Sequence, residues 1–267
     1  MTSFNPTLFS FELTPLEQVQ PWGEPGQYKL HWFGLTDGQY WIQAGPATLL
    51  EYSELAQTHG APRYCNYQVV RLYEDLMDMI PSVVEPVPAS LTAYLSGDVA
   101  RAWETAYLAW RENPPVGLDE QRFWDIIDGA GTWIGKRTLD TGYLSPSTKI
   151  RLWSDGQHVH IAWDNSLKLF HGSPAWSARC GSFSMPLQEF ISEAASFHDR
   201  LMEQMGERVK RVVAGALPDS VHVNLAGLER EHAYRSINDM NYRTEPTATD
   251  WDCVRAAIAE IERATIA

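Results

Sequence analysis

Apolar and polar residues alternate along several short stretches of the first half of the chain. The alternation runs through Phe9, Phe11 and Leu13, and it appears again from Leu30 to Trp41 on both sides of Thr36-Asp37-Gly38. Successive side chains of a strand point to opposite faces, and Asp-Gly is typical of tight turns. The pattern predicts an edge strand and then a β-hairpin rich in aromatic residues, with a third strand over 47–52.

The same alternation returns in the second half of the chain. Two runs, beginning at Ile150 and ending near Trp163, flank Ser154-Asp155-Gly156-Gln157. Asp-Gly at the centre of a two-residue loop between alternating runs is a strong hairpin signal. A second hairpin is therefore predicted here, followed by a further strand between 174 and 183.

Longer stretches show apolar residues at every third or fourth position, which is the spacing of an amphipathic helix. Proline removes a helical hydrogen bond, so we expect Pro81 to end the first helix, and we expect Gly206 to end or kink the longest one. The predicted helices cover 66–80, 98–110, 119–136, 187–205, 207–214, 225–242 and 249–261.

This order of elements predicts an α+β fold, with short antiparallel hairpins or sheets on which helices pack. The chain has 267 residues, of which 44% are hydrophobic, so it can bury a sizeable core. We expect one body over residues 1–267. Because the order of hairpin and then helices occurs twice, two subdomains over 1–140 and 141–267 are the alternative.

The net charge of −13 is distributed unevenly, with −10 in residues 1–140 and −3 in residues 141–267. Such a surface repels nucleic acid and anionic membranes, so we expect neither as a partner. A basic protein would be attracted to it. Alternatively, the negative charge serves only to keep the protein soluble.

The three cysteines are far apart in the sequence, and no Cys-x-x-Cys occurs. This spacing favours neither a disulfide framework nor a cysteine zinc site. Residues 1–6 lack the positive start and apolar run of a signal peptide, and no apolar stretch approaches the ~20 residues that a membrane span needs. We therefore expect a cytoplasmic protein.

Sequence motifs for chemistry are weak. His158 and His160 would share one face of a strand, with Asp164 nearby in the sequence, but a zinc site needs three or four ligands. Glu229 and His232 form one Glu-x-x-His pair, where di-metal bundles use two. We predict no catalytic residues, no metal and no cofactor. A catalytic site assembled from distant residues, around His158 and His160 or elsewhere, stays open as an alternative.

The clearest candidate for a binding surface is acidic. Glu74, Asp75 and Asp78 lie on the polar face of the helix predicted over 66–80. Further candidates are carboxylates earlier in the chain and an exposed aromatic residue in a loop rich in proline and glycine: Glu51, Glu54 and Trp22.

Two stretches resemble a bacterial family of domains of unknown function. One is Leu30-His-Trp-Phe-Gly-Leu-Thr-Asp-Gly-Gln-Tyr-Trp. The other begins with Arg137-Thr-Leu-Asp-Thr-Gly-Tyr-Leu and continues with Leu152-Trp-Ser-Asp-Gly and Ile161-Ala-Trp-Asp, and the Thr-Asp-Trp start of the last helix also fits. The resemblance implies no reaction, cofactor or catalytic residue.

Acidic cytoplasmic proteins of this type are similar in character to the immunity proteins of contact-dependent and Rhs-type toxin systems. The resemblance implies a protein that binds a cognate antibacterial toxin domain and covers its active or target-binding surface. The other functions that remain open are an enzyme whose site is assembled from distant residues and a small-ligand binding protein. Oligomeric state is not indicated by the sequence.

Overall fold

The structure is a computed structural model that describes residues 7–238 and 240–266. It confirms the α+β fold, with antiparallel sheets of few strands and helices packed on them. The strands are β1 (Phe9–Leu13), β2 (Tyr28–Lys29), β3 (Asp37–Ala44), β4 (Ala47–Leu49), β5 (Cys65–Gln68), β6 (Ile150–Ser154), β7 (His158–Asp164), β8 (Leu169–Phe170), β9 (Ser173–Pro174), β10 (Cys180–Pro186) and β11 (Val221–His222). The helices are α1 (Glu54–Thr58), α2 (Val69–Val84), α3 (Gly97–Glu112), α4 (Glu120–Gly135), α5 (Leu187–Val213), α6 (Leu225–Arg235), α7 (Met240–Arg243) and α8 (Trp251–Ile266).

The first sheet is organised around β3. Strand β1 pairs with it along one edge, while β4 and β5 pair with opposite ends of its other edge. The second sheet has the order β10-β7-β6, and all of its pairs are antiparallel. Helices α2 and α5 contact strands of both sheets, so they join the two into one packed unit.

Two hydrophobic clusters form the core. The larger one contains side chains of the first sheet, α2, α5 and one face of the second sheet. The smaller one contains side chains of α3, α4 and α8, packed against Trp153 and Ala162 on the opposite face of the second sheet. Both clusters contain residues from before and after residue 140. Whether the chain forms one body or two subdomains stays a prediction.

The hairpin predicted for Leu30–Trp41 is wrong. Strand β2 pairs in parallel with β11, a segment almost 200 residues later, and a 3-10 turn over Gly34–Thr36 leads into β3. Gly38 is paired within β3, opposite Leu13, where a Cβ atom would lie 2.4 Å from the carbonyl oxygen of Glu12. Its glycine therefore permits close approach of two strands and does not make a turn. The true hairpin follows, between β3 and β4, with Gly45 at a φ of 60°.

Other sequence predictions have mixed outcomes. The hairpin at Asp155-Gly156 and the helix that begins after Asp119 are confirmed, and Asp119 caps that helix by accepting from Arg122 N. Helix α2 continues through Pro81 to Val84, so the stop predicted at Pro81 is wrong. Helix α5 continues through Gly206 to Val213, so Gly206 does not end it, and the segment predicted as helical after Gly206 belongs to the same helix. The segment predicted as one helix over 225–242 is divided into α6 and α7.

Among the helices of the described residues, none is both long enough and apolar enough to cross a bilayer.

Candidate functional site

Helix α2 places the predicted acidic residues on its outward face. Its apolar face, which includes Leu72, Leu76 and Ile80, is buried in the larger cluster. The helical spacing then leaves Glu74, Asp75 and Asp78 facing away from that cluster. The structure thus brings these three residues together, although each of them has a different environment.

Glu74 is held by an internal ion pair. Its carboxylate accepts from Arg235 Nη1 at 2.7 Å, and Arg235 also binds Glu231 at 3.0 Å one helical turn earlier. The guanidinium of Arg235 in turn stacks over the Trp32 ring, 4.5 Å from its centroid. Glu74 therefore fastens α6 to α2, and it is less available for a partner than the sequence suggests.

Asp75 is largely buried beside Arg71, whose Nη2 lies 3.3 Å from its Oδ1. Its Oδ2 atom is buried and makes no hydrogen bond with the described residues. Burial raises the pKa of Asp75 to about 6, with Arg71 lowering it and the Asp140 and Glu74 carboxylates raising it further. Asp75 consequently titrates much closer to neutral pH than an ordinary aspartate does.

Asp78 is the most accessible of the three. Its side chain is 84% exposed and lies 3.7 Å from Arg243 Nη1. An ion pair at that exposure contributes little to stability, because solvent screens it. The carboxylate can therefore exchange this contact for one with a partner.

Apolar side chains missed by the sequence interpretation lie beside these carboxylates. Tyr234 and Ile237 are 78% and 62% exposed at the end of α6, and both line a cleft of about 380 Å³ with Glu74, Asp75 and Asp78. Tyr234 lies in the last turn of α6 and Ile237 lies just beyond its end at Arg235, whereas the sequence predicted that the helix continues. In the sequence, Tyr234 and Ile237 break the apolar spacing of the predicted helix and lie next to the polar residues Ser236 and Asn238. This break is the signal that would have identified them.

Three clefts adjoin along α2, and all of them include Asp78. The second, of about 490 Å³, extends past Asp75 towards Lys136 and Asp140, and the third, of about 430 Å³, extends towards Glu245 and Thr247. We call the three together the α2 groove.

The other predicted binding residues lie outside the α2 groove. Glu51 accepts from Arg63 Nε at 3.0 Å and from Ser177 Oγ at 3.1 Å, so it links β4 to the segment before β10. Glu54 is exposed in the first turn of α1. Trp22 is 44% exposed and packs edge-on against His31, with ring centroids 4.6 Å apart. None of these three residues lines the clefts of the α2 groove.

The histidine pair of β7 lies near the turn of the second hairpin, on the same face of the sheet as Trp153 and Ala162, and the His160 ring stacks on Trp153 with centroids 5.4 Å apart. Asp155 Oδ2 lies 3.0 Å from His160 Nε2 and 4.0 Å from His158 Nδ1, while Asp164 at the far end of the strand binds Arg101. Hydrogen bonds from the backbone of His158 and Gln157, and from the ring of His160, lower the pKa of Asp155. Within residues 7–238 and 240–266, no group of three or more His, Cys, Asp or Glu side chains is placed to hold a metal ion.

The residues of the family-like motifs have structural contacts. Trp32 is fully buried, and its Nε1 donates to His232 Nδ1 at 3.4 Å. Burial, with a contribution from Lys210, lowers the pKa of His232, so its neutral ring can accept at Nδ1. Through Trp32, the first motif therefore fastens α6 to the segment between β2 and β3.

A second motif residue, Arg137, is fully buried and donates to Glu85 Oε2 at 2.7 Å. Glu85 also accepts from Thr249 N at 2.7 Å and from Thr247 Oγ1 at 2.9 Å. Burial raises the pKa of Glu85, but the hydrogen bonds from Thr249, Arg137 and Thr247 outweigh it and hold the pKa below the usual value. This cluster, which we call the Glu85 clamp, fastens the segment before α8 to the end of α2.

Comparison with known proteins gives a family and no further relatives. A model described as a family of unknown function, DUF5984, matches residues 8–257, so the chain belongs to that family. No curated protein and no solved structure matches the chain.

Proposed function

We propose that this member of the DUF5984 family is an immunity protein, which binds a cognate bacterial toxin domain and covers its active or target-binding surface. The observation that supports this proposal most directly is the composition of the α2 groove. Exposed apolar anchors, Tyr234 and Ile237, lie beside the accessible carboxylate of Asp78. Stable protein interfaces have this arrangement of apolar and aromatic anchors within a charged rim.

Charge supports a basic partner. The chain carries −13 overall and −10 in the half that contains α2. Complementary charge raises association rates by steering the partner towards the site, and this contribution falls as salt screens it. A toxin domain that binds nucleic acid would present a basic surface of the required kind.

Within the α2 groove, the roles of the carboxylates differ. Glu74 is engaged by Arg235, so we assign it to positioning α6 and its exposed end. Asp78 is the candidate rim contact, and Tyr234 and Ile237 are the candidate anchors. Asp75 is too buried to reach a partner directly and acts on the groove through its charge.

The experiment is co-expression with the toxin domain encoded beside this protein's gene, followed by co-purification and measurement of the dissociation constant. Tyr234→Ala and Ile237→Ala should each weaken binding about tenfold or more, because truncating an interface anchor costs about 1–2 kcal/mol or more. Asp78→Lys should slow association most strongly at low salt. The matched controls are Leu108→Ala, an exposed apolar residue on α3, and Glu203→Lys, an exposed carboxylate on α5.

The same binding measurement is made on variants of two other binding residues that the sequence predicted, Glu54 and Trp22. If Glu54→Lys or Trp22→Ala weakens binding while the Tyr234 and Ile237 variants bind normally, the interface lies elsewhere and the α2 groove is excluded. If no toxin domain is encoded nearby, or the pair does not co-purify, the immunity function itself is contradicted.

A further inference from the structure

A separate cleft of about 420 Å³ lies between the start of α3 and the second sheet. None of its lining residues belongs to the α2 groove. Its walls are Leu95 to Glu104 on one side and parts of β6, β7 and β10 on the other. The volume falls within the usual range for pockets that hold small molecules.

The floor of this cleft is made by two rows of side chains that cross the sheet. Arg151, Ala162 and Ser182 are register partners in one row. In the next row, Asp164 N donates to Lys149 O at 3.1 Å, and Asp164 pairs with Cys180. Because side chains two residues apart share a face, both rows face α3. Three of the side chains are small, namely Ala162, Cys180 and Ser182, and they leave the space that forms the cleft.

Two neighbouring side chains of opposite charge are held apart in this floor. Lys149 binds Glu104, and Asp164 binds Arg101 at 3.0 Å, so each is turned to a residue of α3. Backbone neighbours across antiparallel strands have Cβ atoms about 5 Å apart. A positive and a negative side chain thus start from neighbouring backbone positions and turn to different residues of α3, with the open cleft above them.

Charge is also unbalanced between the two ends of the cleft. Lys149 and Arg151 share the single carboxylate of Glu104, so that end has a surplus positive charge. Arg101 alone faces Asp98 and Asp164, so the other end has a surplus negative charge. A ligand that balances both ends carries an anionic and a cationic group a short distance apart.

We propose that this cleft binds a free α-amino acid. Its carboxylate would bind Lys149 and Arg151, and its ammonium would bind Asp164 and Asp98. Lys149 and Asp164 start from neighbouring backbone positions, so the positive and the negative end of the cleft adjoin, as the two charged groups of an amino acid do. The side chain of the amino acid would lie over Ala162 and Leu95, which are buried and apolar.

The test measures binding by thermal shift and calorimetry, using the full chain with glycine, L-leucine, L-methionine, L-glutamate and L-lysine. Each is compared with its N-acetyl form, which lacks the ammonium, and with its amide, which lacks the carboxylate. At least one free amino acid should bind, and both blocked forms of it should bind at least about tenfold more weakly, because each loses a charge-assisted hydrogen bond. Equal binding of the N-acetyl form or of acetate would overturn the proposal, and so would the absence of binding by all five.

Variants locate the site. Lys149→Met and Asp164→Asn should each weaken binding about tenfold, and Asn at 164 keeps an oxygen for the hydrogen bonds from Ser166. Ser182→Leu should block the cleft without removing a charge, and Asp98→Asn alters a fully accessible side chain, so neither threatens the fold. Lys210→Met and Asp252→Asn, which change exposed ion pairs elsewhere, are the controls. Binding that all four cleft variants retain would place the amino acid elsewhere and contradict the proposal.

Discussion

Asp75 shows how a single side chain on a surface helix acquires unusual chemistry. It lies on the polar face of α2 and yet is largely buried, because the loop containing Asp140 and Tyr143 packs over it. Its neighbours include one cation, Arg71, and two other carboxylates. Burial outweighs the cation, so the carboxyl binds a proton more readily in the folded chain than in the unfolded chain.

This shift makes stability depend on pH in a defined direction. The pKa of Asp75 is about 6 in the folded state and 3.8 without the fold, so the folded chain binds the extra proton between these values. The contribution of Asp75 to stability is therefore fully present below about pH 4 and is lost as pH rises through about 6.

We expect Asp75→Asn to be more stable than the native chain at pH 7.5 by about 1–2 kcal/mol, with the difference shrinking towards pH 4. Urea unfolding at a series of pH values measures it. Comparing the two chains at each pH cancels the contributions of all other carboxyls. A difference that stays constant across this range would show that Asp75 does not titrate there.

At the scale of elements, the two predicted hairpins explain what the sequence can and cannot reveal. The turn at Asp155-Gly156 is made by local chemistry, since Asp155 Oδ1 accepts from the backbone of Gln157 and His158. The Asp37-Gly38 pair looks the same in the sequence. Its glycine, however, serves a distant contact with the backbone of Glu12, which no local pattern contains.

Gly38→Ala tests that contact. The added Cβ would lie 2.4 Å from Glu12 O and 2.9 Å from Leu13 Cα, and backbone atoms cannot turn away as a flexible side chain can. We expect the free energy of unfolding to fall by about 1–3 kcal/mol, the usual cost of overpacking. Gly135→Ala is the control, since its Cβ meets nothing within 4 Å and alanine is the better helix former. Equal effects of the two substitutions would contradict the close approach of β1.

The proposed binding surface shows the same limit of sequence interpretation. Helical spacing correctly placed Glu74, Asp75 and Asp78 on one face, because that face is a property of α2 alone. The engagement of Glu74 depends on Arg235, 161 residues away, and the placement of Ile237 depends on where α6 ends. Contacts between segments that are distant in the sequence therefore determine which of these side chains can bind a partner and which are already engaged within the chain.

At the scale of the whole molecule, the Glu85 clamp connects segments that belong to both core clusters. Helix α2 packs in the larger cluster, and α4 and α8 pack in the smaller one. Glu85 follows α2, Arg137 follows α4, and Thr249 precedes α8. One carboxylate thus fixes the relative positions of three helices.

Glu85→Ala should therefore affect the entire molecule. Removing one partner of a buried ion pair leaves the other charge uncompensated, which costs about 3–5 kcal/mol. We expect that loss in urea unfolding, monitored by near-ultraviolet circular dichroism. Glu203→Ala, on the exposed face of α5, should change stability by less than about 0.5 kcal/mol. A small effect of Glu85→Ala would mean that the clamp is dispensable for joining the helices.

The clamp also has a consequence for how the protein is made on the ribosome. Thr247 and Thr249 are synthesised more than 160 residues after Glu85, and His232 is synthesised 200 residues after Trp32. Until these later residues have left the ribosome, the nascent chain carries Glu85 and Trp32 without these hydrogen-bond partners. A chain truncated before residue 247 leaves Glu85 without the hydrogen bonds from Thr247 and Thr249, and we expect it to be less stable than the longer chain.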